Sequence, residues 1–316
     1  MSTISYVSSS GTSTTGTTVT LDLGALDSSQ IKSIPTANIA ALTTATLAEI
    51  PEDAISGLTS LQINALPTEV IDKISTSQLS AMSTAQVSYL KTAQLTLLSS
   101  SQIQSLSPEQ LGAMKLAYLT NAQVSALTAD QISNASAVVV SSLSPDQFEA
   151  FSSQQISALT ISQINALTAS QVAKLDTNEL QALNDEQLAA LSEKQIAGLS
   201  TAHISTLLAL SALPFSESQV AGISTAAVAA LNATDIGYFS EEQVRGLSST
   251  QVRAMTATQL NGLNEYKLQA LDAGDLAAVS TAVLADLNTA QIANLSSTQI
   301  AALTSIQAKA LGTAQL

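Results

Sequence analysis

An eight-residue unit, Ser/Thr-x-x-Gln-Ile-x-x-Leu, recurs from about Leu21 to Leu316 and constrains the fold more than any other feature of the chain. Counted by its Gln position, it runs for 12 octads from Asp22 to Gln110 and, after one slip, for 26 from Lys115 to Gln315. A chain made of copies of one small unit buries its apolar face by stacking neighbour on neighbour. Periodicity therefore overrides the two-domain expectation that 316 residues would otherwise carry.

Each octad reads as a short helix with its own start signal. In Leu167-Thr168-Ala169-Ser170-Gln171-Val172, the Thr168 hydroxyl and the Gln171 amide have the spacing of a capping box. Leu167 and Val172 then take the two positions of a hydrophobic staple. The pattern returns at Leu159-Thr160 with Gln163-Ile164, and at Leu191-Ser192 with Gln195-Ile196. Pro108 and Pro145 follow a Ser at the first helical position, where a missing N–H costs nothing. Pro35, Pro51 and Pro67 occupy the cap slot and push Ile34, Ile50 and Leu66 out of the α region. These prolines lie 16 residues apart, which suggests that two octads make one helical hairpin or layer.

Competing folds fit less well. On one unbroken helix an eight-residue period drifts by about 80° per repeat, so the apolar stripe would wind round the axis. A β-solenoid needs period-two alternation, which is missing, and the Ala and Gln at interior positions favour helix. The expected fold is an all-α solenoid, or superhelix, of short capped helices, one per octad, over residues 21–316. Residues 1–20 differ: Ser, Thr and Gly surround β-branched runs, which predicts extended strands with a Gly turn, as an N-terminal arm or cap.

The Ile slot departs from large apolar residues only at Ala212 and Ala308, and the Leu slot only at Ala135. The residue before the Leu is mostly Ala or Gly, as at Ala158, Ala166, Gly198 and Gly246, which lets neighbouring helices approach closely. Three places break the pattern. Three residues are missing between Gln110 and Lys115, those that would hold the next cap, so Pro108 to Leu119 is expected to form one longer helix with Leu111, Met114 and Tyr118 along a face. Val139 stands in a Gln slot. Leu208 replaces a cap in the run Leu207 to Phe215, which reads as a remodelled core or a lateral contact patch of Leu208, Leu210, Leu213 and Phe215.

Composition narrows the function. A net charge of −14 with only 10 Lys plus Arg leaves nothing to neutralise nucleic acid or an anionic membrane surface. The absence of Cys removes disulfides, thiolate metal sites and a Cys nucleophile. No apolar run approaches the ~20 residues that cross a bilayer, and the first residues lack a cleavable signal pattern. The one histidine, His203, sits in a Gln slot and reads as a variant cap residue. Acidic residues such as Asp185-Glu186, Glu217 and Glu241-Glu242 fall in predicted first turns, where they complement the helix dipole. No enzyme, cofactor, metal or small-molecule substrate is expected.

The octads, for instance Leu295-Ser296-Ser297-Thr298-Gln299-Ile300-Ala301-Ala302-Leu303, resemble the Thr/Ala/Gln/Leu-rich repeat tracts of very large bacterial surface and exported proteins. A looser likeness is to the superhelical repeats of mesothelin and stereocilin. The resemblance implies an exported or cell-surface α-solenoid with an adhesive or structural role. The chain departs from that style in lacking Gly/Asp-rich calcium repeats.

Two functions follow as expectations. The first is a self-assembling subunit of an extracellular filament, sheath or surface layer, its partner a second copy meeting it head to tail. The contact residues would be Ile4, Tyr6, Val7, Val19, Leu21 and Leu23 at one end, and Ala308, Leu311 and Leu316 at the other. The second is a monomeric scaffold binding a peptide, glycan or surface. Tyr89, Tyr118 and Tyr238 share one slot but lie far apart in sequence, which counts against a common binding face.

Overall fold

The computed structural model describes residues 2–8, 17–209, 214–313 and Gln315. The chain is a helical-repeat solenoid. Among the described residues it has 34 short α-helices of four to six residues each, except Thr201–Ala209 with nine, and a two-stranded sheet precedes them. Contacts group the helices into two compact units, Met1–Ala158 and Leu159–Leu316, and the same stacking rule operates inside each.

The restart of the helix in every octad is local chemistry. Thr168 is extended, at φ −76° and ψ 154°, and its hydroxyl accepts from the Gln171 amide N at 3.2 Å. Gln171 Oε1 in return accepts from Thr168 N at 2.8 Å. Ala169–Val172 then makes its single turn. The following Leu-slot residue commonly leaves the α region to begin the next cap, as Leu231 does at φ −63° and ψ 146°. Both apolar slots are buried along the stack, so a helix too short to stand alone is held by its neighbours.

Those neighbours are not the next helices along the chain. Gln62 Nε2 donates to the carbonyls of Ile31 at 2.8 Å and Ile34 at 2.7 Å, four octads back. Gln259 makes the same pair with Val228 at 2.8 Å and Leu231 at 2.7 Å. The other end of each helix meets the third octad back: Gly57 lies against the backbone of Ser28, and Gly246 against that of Glu217. A turn of the stack therefore takes between three and four octads. The two-octad layer suggested by the proline spacing is not present. Pro35, Pro51 and Pro67 occupy caps that make no side-chain hydrogen bond, each before a helix of only four residues. Their spacing marks where a cap is dispensable.

The slip after Gln110 also departs from expectation. Pro108–Ala113 ends at Met114, which is extended at φ −81° and ψ 154°, and Leu116–Tyr118 forms a separate 3-10 turn. No long helix results, because Met114 fills one Leu slot while Leu116 and Leu119 fill the next Ile and Leu slots, all buried. Burial of those three side chains outweighs helix continuity. The stack then counts octads and not residues: Gln123 reaches Leu95 and Leu98, 28 and 25 positions back, where Gln102 reaches 31 and 28.

At the start, β1 (Thr3–Ser8) and β2 (Thr17–Asp22) pair antiparallel with Thr3 opposite Asp22. The first helices have no octad four units before them, and the hairpin supplies partners there. Tyr6 Oη lies 2.9 Å from Ser33 Oγ, and the Asn38 side-chain amide donates to the Ser5 carbonyl at 3.4 Å. The Glu49 carboxylate accepts from Ser2 N at 2.8 Å and Ser2 Oγ at 2.7 Å, which holds its carboxyl below the usual range.

Candidate functional site

Most buried polar side chains are consumed by the stack itself. The Gln slot needs an acceptor for its own cap and a donor for the turn beneath, and a primary amide supplies both. Polar variants show the same demand, whereas Ala54, Val70 and Ala227 fill the slot as buried apolar residues. Lys267 Nζ donates to the Gly237 carbonyl at 2.6 Å. Asp235 and Asp275 cannot donate, and a hydroxyl instead donates to each: Ser205 to Asp235 at 2.9 Å and Ser249 to Asp275 at 2.6 Å.

His203 behaves as a slot variant. Its Nδ1 accepts from Ser200 N at 3.2 Å, as a Gln Oε1 would. Burial lowers its pKa from the ordinary 6.5 against the pull of Asp176, so the folded chain prefers the neutral ring. The unfolded chain takes up the proton first, and the site's contribution is complete above 6.5 and lost as pH falls below it. Thermal melts of the parent and His203→Gln should diverge on the acid side of that value, the parent falling further. Parallel curves would show that the ring is not an acceptor.

Asp185, Glu186, Glu217, Glu241 and Glu242 lie in first turns as expected, and Glu217 also accepts from Arg245 at 3.0 Å one turn away. Among the described residues no group of three His, Asp or Glu side chains is placed to hold a metal ion.

The expected contact residues divide. Leu208 and Phe215 are 2% and 4% exposed, and the helix Thr201–Ala209 runs straight through the missing cap and turns Leu208 inward. They are core and cannot form a lateral patch; Leu210 and Leu213 lie outside the described residues. Leu23 is likewise fully buried and leaves the interface set. Ile4, Tyr6, Val19 and Leu21 are half-buried in the hairpin, and of Val7 only the backbone is described. At the other end Ala308 is exposed and Leu311 half-buried, while Leu316 is outside the described residues.

Beside the slip lies a feature that sequence reasoning missed. A cleft of about 330 Å³ lies between the octads of Lys91 and Lys115. Tyr89 and Tyr118 both line it, at 42% and 43% exposure. They stand 29 residues apart, which is four octads less the three missing residues, so the stack brings together what the chain separates. Lys91 Nζ donates to the Asn64 carbonyl at 2.8 Å, and Lys115 Nζ lies 5.6 Å from the centre of the Tyr118 ring. Neither lysine has a carboxylate partner among the described residues. The available signal was two lysines in slots that elsewhere hold Ser/Thr and Gln.

Architecture and site together define a repeat protein of the helical-solenoid class. The ALTTAQ repeat matches this chain at residues 71–108, 140–177, 172–208 and 268–305. The intervening segments carry the same caps and bridges, as at Gln123 and Gln251. No curated protein matches the chain.

Proposed function

We propose that this chain is a structural scaffold: a self-assembling subunit of an extracellular bacterial filament, sheath or surface layer, without catalytic activity. The observation that carries the reading is the state of the last helices. Ile300 is 44% exposed, whereas Ile292 one octad earlier is 6%. Leu303 and Leu311 are only half-buried, and Ala308 is exposed. At most of these slots earlier in the described stack another layer of octads lies over the side chain, and here a second copy presenting its hairpin and first helices, or further octads of a longer polypeptide, would cover it. Uncovered ends that meet head to tail without closing a ring give filaments. The resemblance to exported repeat tracts supports a place outside the cell. Among the described residues no helix is long and apolar enough to cross a membrane.

Negative-stain electron microscopy of purified protein at rising concentration should show filaments, and Ile300→Glu should abolish them while leaving the helical circular dichroism intact. Unchanged filaments in that variant would sink end-on stacking. If a longer polypeptide supplies the covering octads in cis, the protein stays monomeric when those octads are included.

A second reading, a monomeric scaffold that binds a ligand on its flank, is favoured by the cleft between Tyr89 and Tyr118. A closed structural lattice has no use for two exposed rings and two carboxylate-free lysines in one recess.

A further inference from the structure

We infer that the cleft at the slip is a binding site for an acidic saccharide, one carrying carboxylate groups on its sugar rings; the inference rests on the second reading above. The recess offers three kinds of contact together. Tyr89 and Tyr118 present partly exposed rings on its lining, and the C–H face of a pyranose packs on such a ring. Lys91 and Lys115 supply two ammonium groups without carboxylate partners, in a chain of net charge −14. Ser88 and Thr92 place exposed hydroxyls at the same recess.

The apolar residues beneath bear on the alternatives. Leu95 and Met114 are 2% and 4% exposed, so the floor has no open pocket for an apolar peptide side chain. Recognition must come from the aromatic rings and the ammonium groups, which is the chemistry of a flat polar ring bearing an anion. The cleft is large enough for one or two sugar units, since small-molecule sites begin at roughly 300 Å³. Lys115 over Tyr118 is the central element: the ring holds the ammonium in place before the ligand arrives.

The substitutions that test this return the slots to the repeat's own residues. Tyr118→Ala puts Ala where Ala is the commonest residue of the octad, and Lys115→Gln restores the Gln slot, so both variants should fold; circular dichroism and thermal midpoint verify it. The probe is a galacturonic acid trisaccharide, titrated calorimetrically into the full chain at low ionic strength, beside maltotriose and triglutamate. The uronic trisaccharide should bind, each substitution should weaken it about tenfold, the size of one well-placed cation–π or charged contact, and Tyr266→Ala should change nothing. Maltotriose should bind at least about tenfold more weakly. Binding of triglutamate equal to that of the saccharide would overturn the assignment, leaving a simple charge attraction. So would the absence of heat with the uronic sugar. Sedimentation of the same sample separates the causes. A monomer that ignores the sugar leaves the scaffold reading standing without this ligand, and a polymer removes both.

Discussion

Replacing Gln259 by Leu should destabilise the Leu159–Leu316 unit by about 3 kcal/mol, out of proportion to a change that adds apolar surface to a core. Gln259 is 2% exposed and serves two structures at once. Its Oε1 accepts from Thr256 N at 2.8 Å, and its Nε2 donates to the carbonyls of Val228 and Leu231. Leu takes the partners named here from the Thr256 amide and the Leu231 carbonyl, and leaves the Val228 carbonyl only its long bond from Leu231 N at 3.3 Å, at about 1–3 kcal/mol for each buried group stranded. Gln259→Glu keeps the shape and the acceptor but loses the donor, and aims a carboxylate at two carbonyl oxygens. Asp235 and Asp275 escape this because Ser205 donates to the one and Ser249 to the other, whereas the equivalent positions before Gln259 are Ala229 and Ala233. The Glu variant should therefore be the less stable of the two at neutral pH. Burial beside carbonyls raises its pKa, so the deficit should shrink as pH falls through that raised value and the carboxyl regains a proton to donate. Denaturant titrations at two pH values measure both effects. A loss below about 1 kcal/mol for the Leu variant would show that apolar packing alone ties one turn to the next.

The second large effect concerns backbone approach. A Cβ at Gly57 would lie 1.9 Å from the Ser28 carbonyl oxygen and 2.6 Å from its carbon, an overlap with main chain that no rotamer relieves. Gly57→Ala should cost about 2–3 kcal/mol by forcing the third-neighbour helices apart. Gly112→Ala is the matched control. It lies in the helix Pro108–Ala113, a Cβ there meets nothing within 4 Å, and Ala should stabilise by about 0.5–1 kcal/mol. Hydrogen exchange across Ser28–Ser33 would register the first change and not the second. Equal effects from the two would mean that glycine acts through chain flexibility and not through helix spacing.

Much of this was legible from the octad because capping is a contact between residues three apart. Thr160 with Gln163, Ser192 with Gln195 and Ser248 with Gln251 each form the reciprocal pair that their spacing predicts. The second task of the same Gln was not legible. Its Nε2 reaches a carbonyl about 30 residues away, and every octad offers the same carbonyls, so no residue type distinguishes the true partner. The slip misled for a related reason. Losing a cap should lengthen a helix if helix formation decides, but Met114, Leu116 and Leu119 are each claimed by the core, and the chain bends to deliver them. At Leu208 and Phe215 the sequence left core and lateral patch both open, and burial at 2% and 4% places these two side chains in the core.

Local chemistry written into the octad determined where each helix begins, which two side chains it buries, and that such stubs must stack, since hydroxyl, amide and staple act within eight residues. Tertiary packing alone decided that a turn closes after three to four octads, since Gln62 and Gln259 reach carbonyls four octads back while Gly57 and Gly246 meet backbone three octads back, and no contact within one octad sets that number. The same packing set Tyr89 beside Tyr118 across 29 residues, and so decided which of many exposed side chains share a cleft.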